Sequence, residues 1–260
     1  MTGGDFYSGQ VVDTPTAREF TERALERVSK EDLGDVAGLL ERKVEAFQAI
    51  LAPDALGAMT ESQATALLRS VFVTRRRHRL ILDTLTLDGF IQRCERLLYG
   101  QEPAPVRLGE FHETIAAIGR DLPAQTGFDL GSSLLHFTDP DRYWLWTQWM
   151  WDPENLTGAL PLIVTEEVDL IADDTAESYR RIGVAMVFIN EVGDAAGFQE
   201  RGHGMLDTDV FLACVYAIYL YTTLRMRMTQ EFNQVVPGLD DLLRRLLGVH
   251  RSPLFEEAAA

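Results

Sequence analysis

All four tryptophans of this 260-residue chain lie within eight residues, at Trp144, Trp146, Trp149 and Trp151. Indole rings bury a large area each and dominate the packing of any core or interface that they join. The segment is bounded by Asp139-Pro140 and Asp152-Pro153, and proline limits a helix to the stretch between them. We therefore expect residues 144–151, called here the tryptophan segment, to be helical and to lie at the centre of the fold.

The spacing of the four rings suggests a contact surface. On a helix, Trp144 and Trp151 share one face, whereas Trp146 and Trp149 point elsewhere, so the rings cannot all enter one core. Exposed aromatic rings of this size often mark interfaces. We therefore assign all four as candidate residues for binding a protein partner or a second copy. Packing in the core and stacking on nucleic-acid bases are the alternatives.

Helical periodicity predicts the fold class. Apolar residues recur at helical spacing along most of the chain, and capping residues and Pro or Gly separate the segments. This pattern predicts one all-α domain of about nine to ten helices over residues 15–250. A flexible arm at 1–14 precedes it and a tail at 251–260 follows. Residues 207–235 should form the longest helix, in the middle of the core, and residues 162–165 a short strand.

The formal net charge of −16 repels nucleic acid, so any contact with it must use a local basic patch. The basic run is Arg75, Arg76, Arg77, His78 and Arg79. Five consecutive residues point in every direction around a helix, so we expect either a helix break near residues 73–74 or a loop that contains part of the run. The arginines are candidate phosphate-binding residues. The alternative is that they pair with carboxylates of neighbouring helices.

Several features argue against other classes of protein. Cys94 and Cys214 stand alone in apolar segments, which predicts buried thiols in a reducing compartment. The N-terminus does not resemble a signal peptide, and the apolar run 210–224 is shorter than the roughly 20 residues of a membrane span. We therefore predict a cytoplasmic protein that contacts no membrane. His136 is expected to be a core histidine, and the sequence contains no recognisable metal or cofactor motif.

The middle of the chain resembles the helix-hairpin-helix DNA-glycosylase family. The resemblance rests on Gln125-Thr-Gly127, Gly131, Ser132-Ser-Leu-Leu-His-Phe137 and Asp139-Pro-Asp-Arg-Tyr143, and it covers about residues 65–225. In that family the backbone N–H groups of a glycine-containing hairpin approach a DNA phosphate. The resemblance therefore implies an all-α glycosylase-like fold and a nucleic-acid contact at Gly127.

The same resemblance implies that the family's chemistry is missing. Gln125 replaces the first hairpin glycine, Thr147 falls where the catalytic aspartate is expected, and no lysine nucleophile or four-cysteine cluster has a counterpart. We therefore predict a catalytically silent binding protein. One alternative is a nucleic-acid-processing enzyme whose catalytic carboxylates have moved to Asp139 or Asp141. Another is a structural subunit of a larger assembly.

Overall fold

The computed structural model describes residues 11–198, 203–227 and 237–257, and within them the protein is all-α, as predicted. Ten helices have eight or more residues, and the only strand-like pairings described are two isolated bridges, Val12 with Val164 and Asp152 with Thr157. The helices are α1 Thr14–Leu25, α2 Lys30–Leu51, α3 Glu61–Ser70, α4 His78–Leu85, α5 Leu87–Tyr99, α6 Ala104–Ala116, α7 Thr126–Thr138, α8 Thr175–Glu191, α9 Gly193–Ala196, α10 Met205–Arg227, α11 Leu239–Leu246 and α12 Leu254–Glu257.

Local capping explains where several helices begin. Ser29 caps α2 and Thr60 caps α3, each in a capping box in which the third helical residue bonds back to the cap. Asp174 accepts a hydrogen bond from Glu177 N at the start of α8. The predicted break near the basic run is also confirmed, since α3 ends at Ser70 and α4 begins at His78.

The prediction that the tryptophan segment is helical is wrong. Residues 143–147 form no regular structure and residues 148–150 form a turn. Side chains of α7 bond to this backbone: Ser132 Oγ contacts both N and O of Trp146, at 3.1 and 2.5 Å, and Asp129 accepts from Gln148 N at 2.8 Å. Because these groups already have partners, the segment does not need helical hydrogen bonds.

The predicted strand and the two predicted ends of the domain also differ from expectation. Residues 162–165 contain the end of a 3₁₀ turn, Leu160–Leu162, and one bridge at Val164, so the predicted strand is wrong. Residues 1–10 of the predicted arm lie outside the described residues, but Val11 and Val12 are buried. At the other end α12 packs on α2 and α3, and its Leu254 is fully buried.

Helix α10 lies in the core, as predicted. Residues 210–215 are all buried, and α10 packs on α1, α2, α8 and α11. Its segment Met205–Thr223 is long and apolar enough to cross a membrane, although 67% of its most apolar window is buried inside the protein. Burial in the core explains this composition equally well. Residues 228–235 of the predicted helix lie outside the described part of the chain.

Glycines allow close packing around α7 and α8. A Cβ at Gly127 would lie 2.7 Å from His112 Cα, and one at Gly131 would lie 2.5 Å from Leu108 Cδ1, so both glycines let α6 approach α7. Gly183 of α8 faces the indole ring of Trp144, and a Cβ there would lie 2.1 Å from its Cζ2 atom. The same indole stacks on Tyr179 at 4.7 Å.

We expect Gly183→Ala to lower the free energy of unfolding by about 1–3 kcal/mol, because the added methyl group displaces a packed indole. Urea denaturation would measure the change. Gly38→Ala is the control, since a Cβ there meets nothing within 4 Å in the middle of α2. It should raise stability by about 0.5–1 kcal/mol. Equal stability of Gly183→Ala and the wild-type protein would contradict this packing.

Candidate functional site

Helix α7 places a polar stripe in the core. Asp129, Ser132, Ser133 and His136 are buried, and their spacing of three, four and seven residues puts them on one face of the helix. The two serines donate to the carbonyl of Asp129, Ser133 at 2.7 Å and Ser132 at 3.5 Å. Buried polar groups need such partners, so the stripe organises the residues around it.

His136 is a core histidine with a contact at each ring nitrogen, as predicted. Its Nδ1 lies 2.7 Å from the carbonyl of Tyr143, and its Nε2 lies 2.7 Å from Oδ2 of Asp209 on α10. Both side chains are fully buried. A carbonyl only accepts, so Nδ1 donates to Tyr143, while Nε2 faces the carboxylate of Asp209. His136 and Asp209 therefore join α7 to α10 through a buried contact between an imidazole and a carboxylate.

Lys43 brings a third ionisable group to this core. It lies on α2 with 2% of its surface exposed, and its ammonium donates to Ser70 O at 3.0 Å and Leu247 O at 2.9 Å. It also lies 3.9 Å from the ring centroid of Phe137. Burial lowers the pKa of Lys43 to about 7, and the charge of Asp209 partly opposes that shift. At neutral pH about half of the molecules therefore hold a neutral amine here.

Asp129 is the acidic counterpart of Lys43. Burial raises the pKa of Asp129 well above its usual range, and the neighbouring carboxylate of Asp152 adds to the effect. The hydrogen bond from Gln148 N opposes it. The carboxyl group therefore keeps its proton to higher pH than an exposed aspartate and can donate it to a bound group.

These groups line one pocket, called here the lysine pocket. Its cavity volume is about 10 Å³, room for about one water molecule. Its polar walls are Lys43, Ser70, Asp129, Ser133 and Thr147, and Thr147 Oγ1 is buried without a hydrogen-bond partner. Phe72, 49% exposed, stands at the mouth. The pocket therefore joins a buried acid and base to the protein surface.

The basic run lies next to that mouth. Arg75 is near Arg69, Arg76 and Arg245; burial and these like charges together lower the pKa of Arg75. We call these four residues the arginine surface. The guanidinium of Arg75 lies 5.9 Å from the ring centroid of Phe72. No residue of the basic run lines the lysine pocket, but Phe72 connects them, because it lines the pocket and lies beside Arg75.

The arginines of the basic run are mostly not paired with acids. Among the described residues, Arg75, Arg76 and Arg79 form no ion pair with a carboxylate, and neither does Arg69. Arg77 donates to the carbonyl of Asp121 at 2.8 Å. Carboxylates of neighbouring helices therefore do not neutralise these arginines within the described residues.

The four tryptophan rings do not form one exposed face. Trp146, Trp149 and Trp151 are at most 5% exposed, and Trp146 stacks on Phe128 with their ring centroids 4.0 Å apart. Trp144 is half-buried and donates to Tyr179 O at 2.8 Å. The segment thus belongs mainly to the core. Docking of a partner on it stays a prediction.

The remaining predicted residues lie away from the lysine pocket lining. Gly127 is buried against His112, so helix packing accounts for it, and Gln125 donates to Glu154 at 2.8 Å. Asp139 is half-buried at the end of α7, and Asp141 is exposed. Within the ranges that the structure describes, no group of three His, Cys, Asp or Glu side chains could hold a metal ion.

Comparisons with protein-family models, with curated proteins and with solved structures find no match. The helix-hairpin-helix resemblance therefore stays a prediction, and function has to be argued from the residues themselves.

Lys43, Asp129 and Asp209 were not among the residues predicted from the sequence. Each left a local signal. Lys43 interrupts the apolar stripe of α2, Asp209 stands in a helix that is otherwise apolar nearly all round, and Asp129 begins the polar spacing of α7. A charged residue at a core position needs a partner, so an isolated one indicates a buried site.

Stability should rise with pH because of Lys43. Below about pH 7 Lys43 is protonated in both the folded and the unfolded protein, and burial of its charged form costs the most stability. Between pH 7 and the unfolded pKa of about 10.4, the unfolded chain binds more protons, so stability rises with pH. We expect wild type to gain up to about 3 kcal/mol over Lys43→Met between about pH 7 and 9.5 in urea denaturation.

The comparison with Lys43→Met removes contributions of other groups to the pH dependence. Loss of the bonds to Ser70 and Leu247 shifts that variant by an amount that does not depend on pH. Lys30→Met, at an exposed position, controls for the loss of a lysine. Parallel pH profiles for wild type and Lys43→Met would show that Lys43 titrates as it does in the unfolded chain.

Proposed function

We propose that the protein binds nucleic acid through the arginine surface and acts as a binding protein. The observation that supports this most is that Arg69, Arg75 and Arg76 of this surface form no ion pair among the described residues, in a chain with a net charge of −16. The fourth arginine, Arg245, pairs with Asp241 at 2.7 Å. Such a chain has 40 acidic residues with which to neutralise a structural arginine. Clustered cations that stay unpaired repel one another, and phosphate groups would relieve that repulsion.

Phe72 favours single strands over duplex as the ligand. It is a half-exposed aromatic ring beside Arg75, at the mouth of the lysine pocket. Bases of a single strand stack on exposed aromatic rings while neighbouring cations hold the phosphates. Bases inside a duplex are already stacked and cannot reach such a ring. Net negative charge elsewhere on the chain would confine the strand to this surface.

We expect the double variant Arg69→Gln with Arg76→Gln to bind single-stranded DNA more weakly than wild type. Its plot of log affinity against log salt should be shallower by roughly 0.7 for each phosphate that the variant no longer neutralises. Fluorescence anisotropy of a labelled oligonucleotide at several salt concentrations would measure both quantities. Both arginines are exposed, so the fold should be unaffected.

The matched control is Arg23→Gln with Arg180→Gln, which removes the same charge. These arginines pair with Glu19 and Glu177 at 2.5 and 2.7 Å. The control should bind like wild type if the site is local. If the two double variants have the same affinity and salt dependence, the arginine surface does not bind the strand.

A second candidate function, a nucleic-acid-processing enzyme, is favoured by the position of Asp129. A carboxyl group with a raised pKa can act as a general acid near neutral pH. Asp129 and Lys43 line the same pocket as Phe72, and a water molecule in that pocket would carry a proton between Asp129 and a nucleotide stacked on Phe72. This proposal moves the catalytic carboxylate from Asp139 or Asp141 to Asp129.

For this second function we expect strand scission or base release from an oligonucleotide, lost in Asp129→Asn. Gel analysis of labelled damaged and undamaged strands would detect either product. Asp139→Asn and Asp141→Asn should keep the activity, because neither residue lines the lysine pocket. Activity that survives in Asp129→Asn, or is lost only in the other two variants, would contradict the role of Asp129.

A further inference from the structure

We propose that the groove between α5 and α6 binds the oxyanion group of a small polar ligand, a phosphate ester or a carboxylate. The groove has a cavity volume of about 410 Å³, within the range of small-molecule sites. Its charged walls are Arg93, Arg96, Arg107, Glu110 and Glu113. It shares no residue with the arginine surface or the lysine pocket, so this inference does not depend on the proposed function.

Arg107 is the main reason for the proposal. Only 6% of its surface is exposed, its Nη1 donates to Leu97 O, and its Nη2 lies 3.5 Å from the hydroxyl of Tyr143. Its Nε is buried and has no hydrogen-bond partner. In the part of the chain that the structure describes, no carboxylate oxygen lies within 4 Å of this guanidinium. Arg107 is therefore a buried cation that lines a groove and has no counter-ion among the residues described.

A buried arginine cannot avoid its charge by losing a proton. Lys43, in a comparable position, has its pKa lowered to about 7. A guanidinium keeps its proton at every pH at which proteins are folded. Burial of an unpaired charge is costly, and an anion in the groove would offset that cost. The missing counter-ion thus indicates the charge of the ligand.

The rest of the groove keeps a positive excess. Arg96 pairs with Glu110 at 2.9 Å, which leaves Arg93 and Arg107 against Glu113. Arg93 donates to Gly89 O at 2.9 Å, and its buried Nε has no partner. Guanidinium groups bind phosphate and carboxylate through paired N–H donors. Glu113 would accept from a hydroxyl or amine of the same ligand.

Gly100, at the end of α5, lets Arg107 reach this position. A Cβ at Gly100 would lie 2.9 Å from Cδ of Arg107 and 2.5 Å from the carbonyl oxygen of Arg96. Its φ is not positive, so the glycine is needed for space and not for backbone conformation. Gly100 therefore leaves the space in which the side chain of Arg107 lies against the groove.

The test is titration of the full chain with inorganic phosphate and, separately, acetate, at constant ionic strength. The Nε–Hε resonances of arginine in ¹⁵N NMR report binding directly. We expect the Arg107 and Arg93 resonances to shift saturably with at least one anion, at millimolar affinity. A response to phosphate alone assigns a phosphate ester, and one to acetate alone a carboxylate.

Arg107→Gln should bind the same anion roughly tenfold or more weakly, because a charged hydrogen bond is lost. If this variant does not fold, Arg93→Gln replaces it. The double variant Arg69→Gln with Arg76→Gln should keep anion binding at the groove even where it loses oligonucleotide binding, which separates this site from the proposed function. Unchanged Arg107 and Arg93 resonances with both anions, or equal binding by Arg107→Gln, would overturn the proposal.

Discussion

The hydrogen bonds between α7 and the tryptophan segment determine how the centre of this protein is built. Asp129 and Ser132 bond to the backbone of Gln148 and Trp146, which lie 19 and 14 residues further along the chain. A helix that is buried on all sides has room for polar side chains only if every one finds a partner. Here the partner is the backbone of an irregular segment, which in turn loses its need for a helix. The polar stripe of α7 and the tryptophan segment therefore each supply the hydrogen-bond partners that the other needs.

This arrangement also decides where the indole rings go. In a helix the rings would have pointed in several directions, whereas the irregular backbone turns Trp146, Trp149 and Trp151 inward. Trp146 stacks on Phe128, one residue before Asp129, so the polar and aromatic contacts reinforce one another. The same backbone brings Thr147 to the wall of the lysine pocket. The segment thus reaches the candidate site through Leu145 and Thr147, while the half-exposed ring at its mouth is Phe72.

Local patterns in the sequence predicted what local physics controls. The all-α class, the capped starts of α2 and α3, the break before His78 and the core position of α10 all depend on residues within a few positions of each other. The shape of the tryptophan segment and the pair of His136 with Asp209 depend on residues far apart in sequence. A pattern shows that a lone buried charge needs a partner, but it does not say which distant residue supplies it.

Three buried basic side chains, His136, Lys43 and Arg107, are accommodated in the core in different ways. His136 faces the carboxylate of Asp209, and Lys43 meets burial by a lowered pKa. Arg107 can do neither within the described residues, because it keeps its proton and has no acid beside it. The folded chain thus gives His136 an acidic neighbour and lets Lys43 lose its charge. The third faces an open groove, and an anion from solution is the balance that remains available to it.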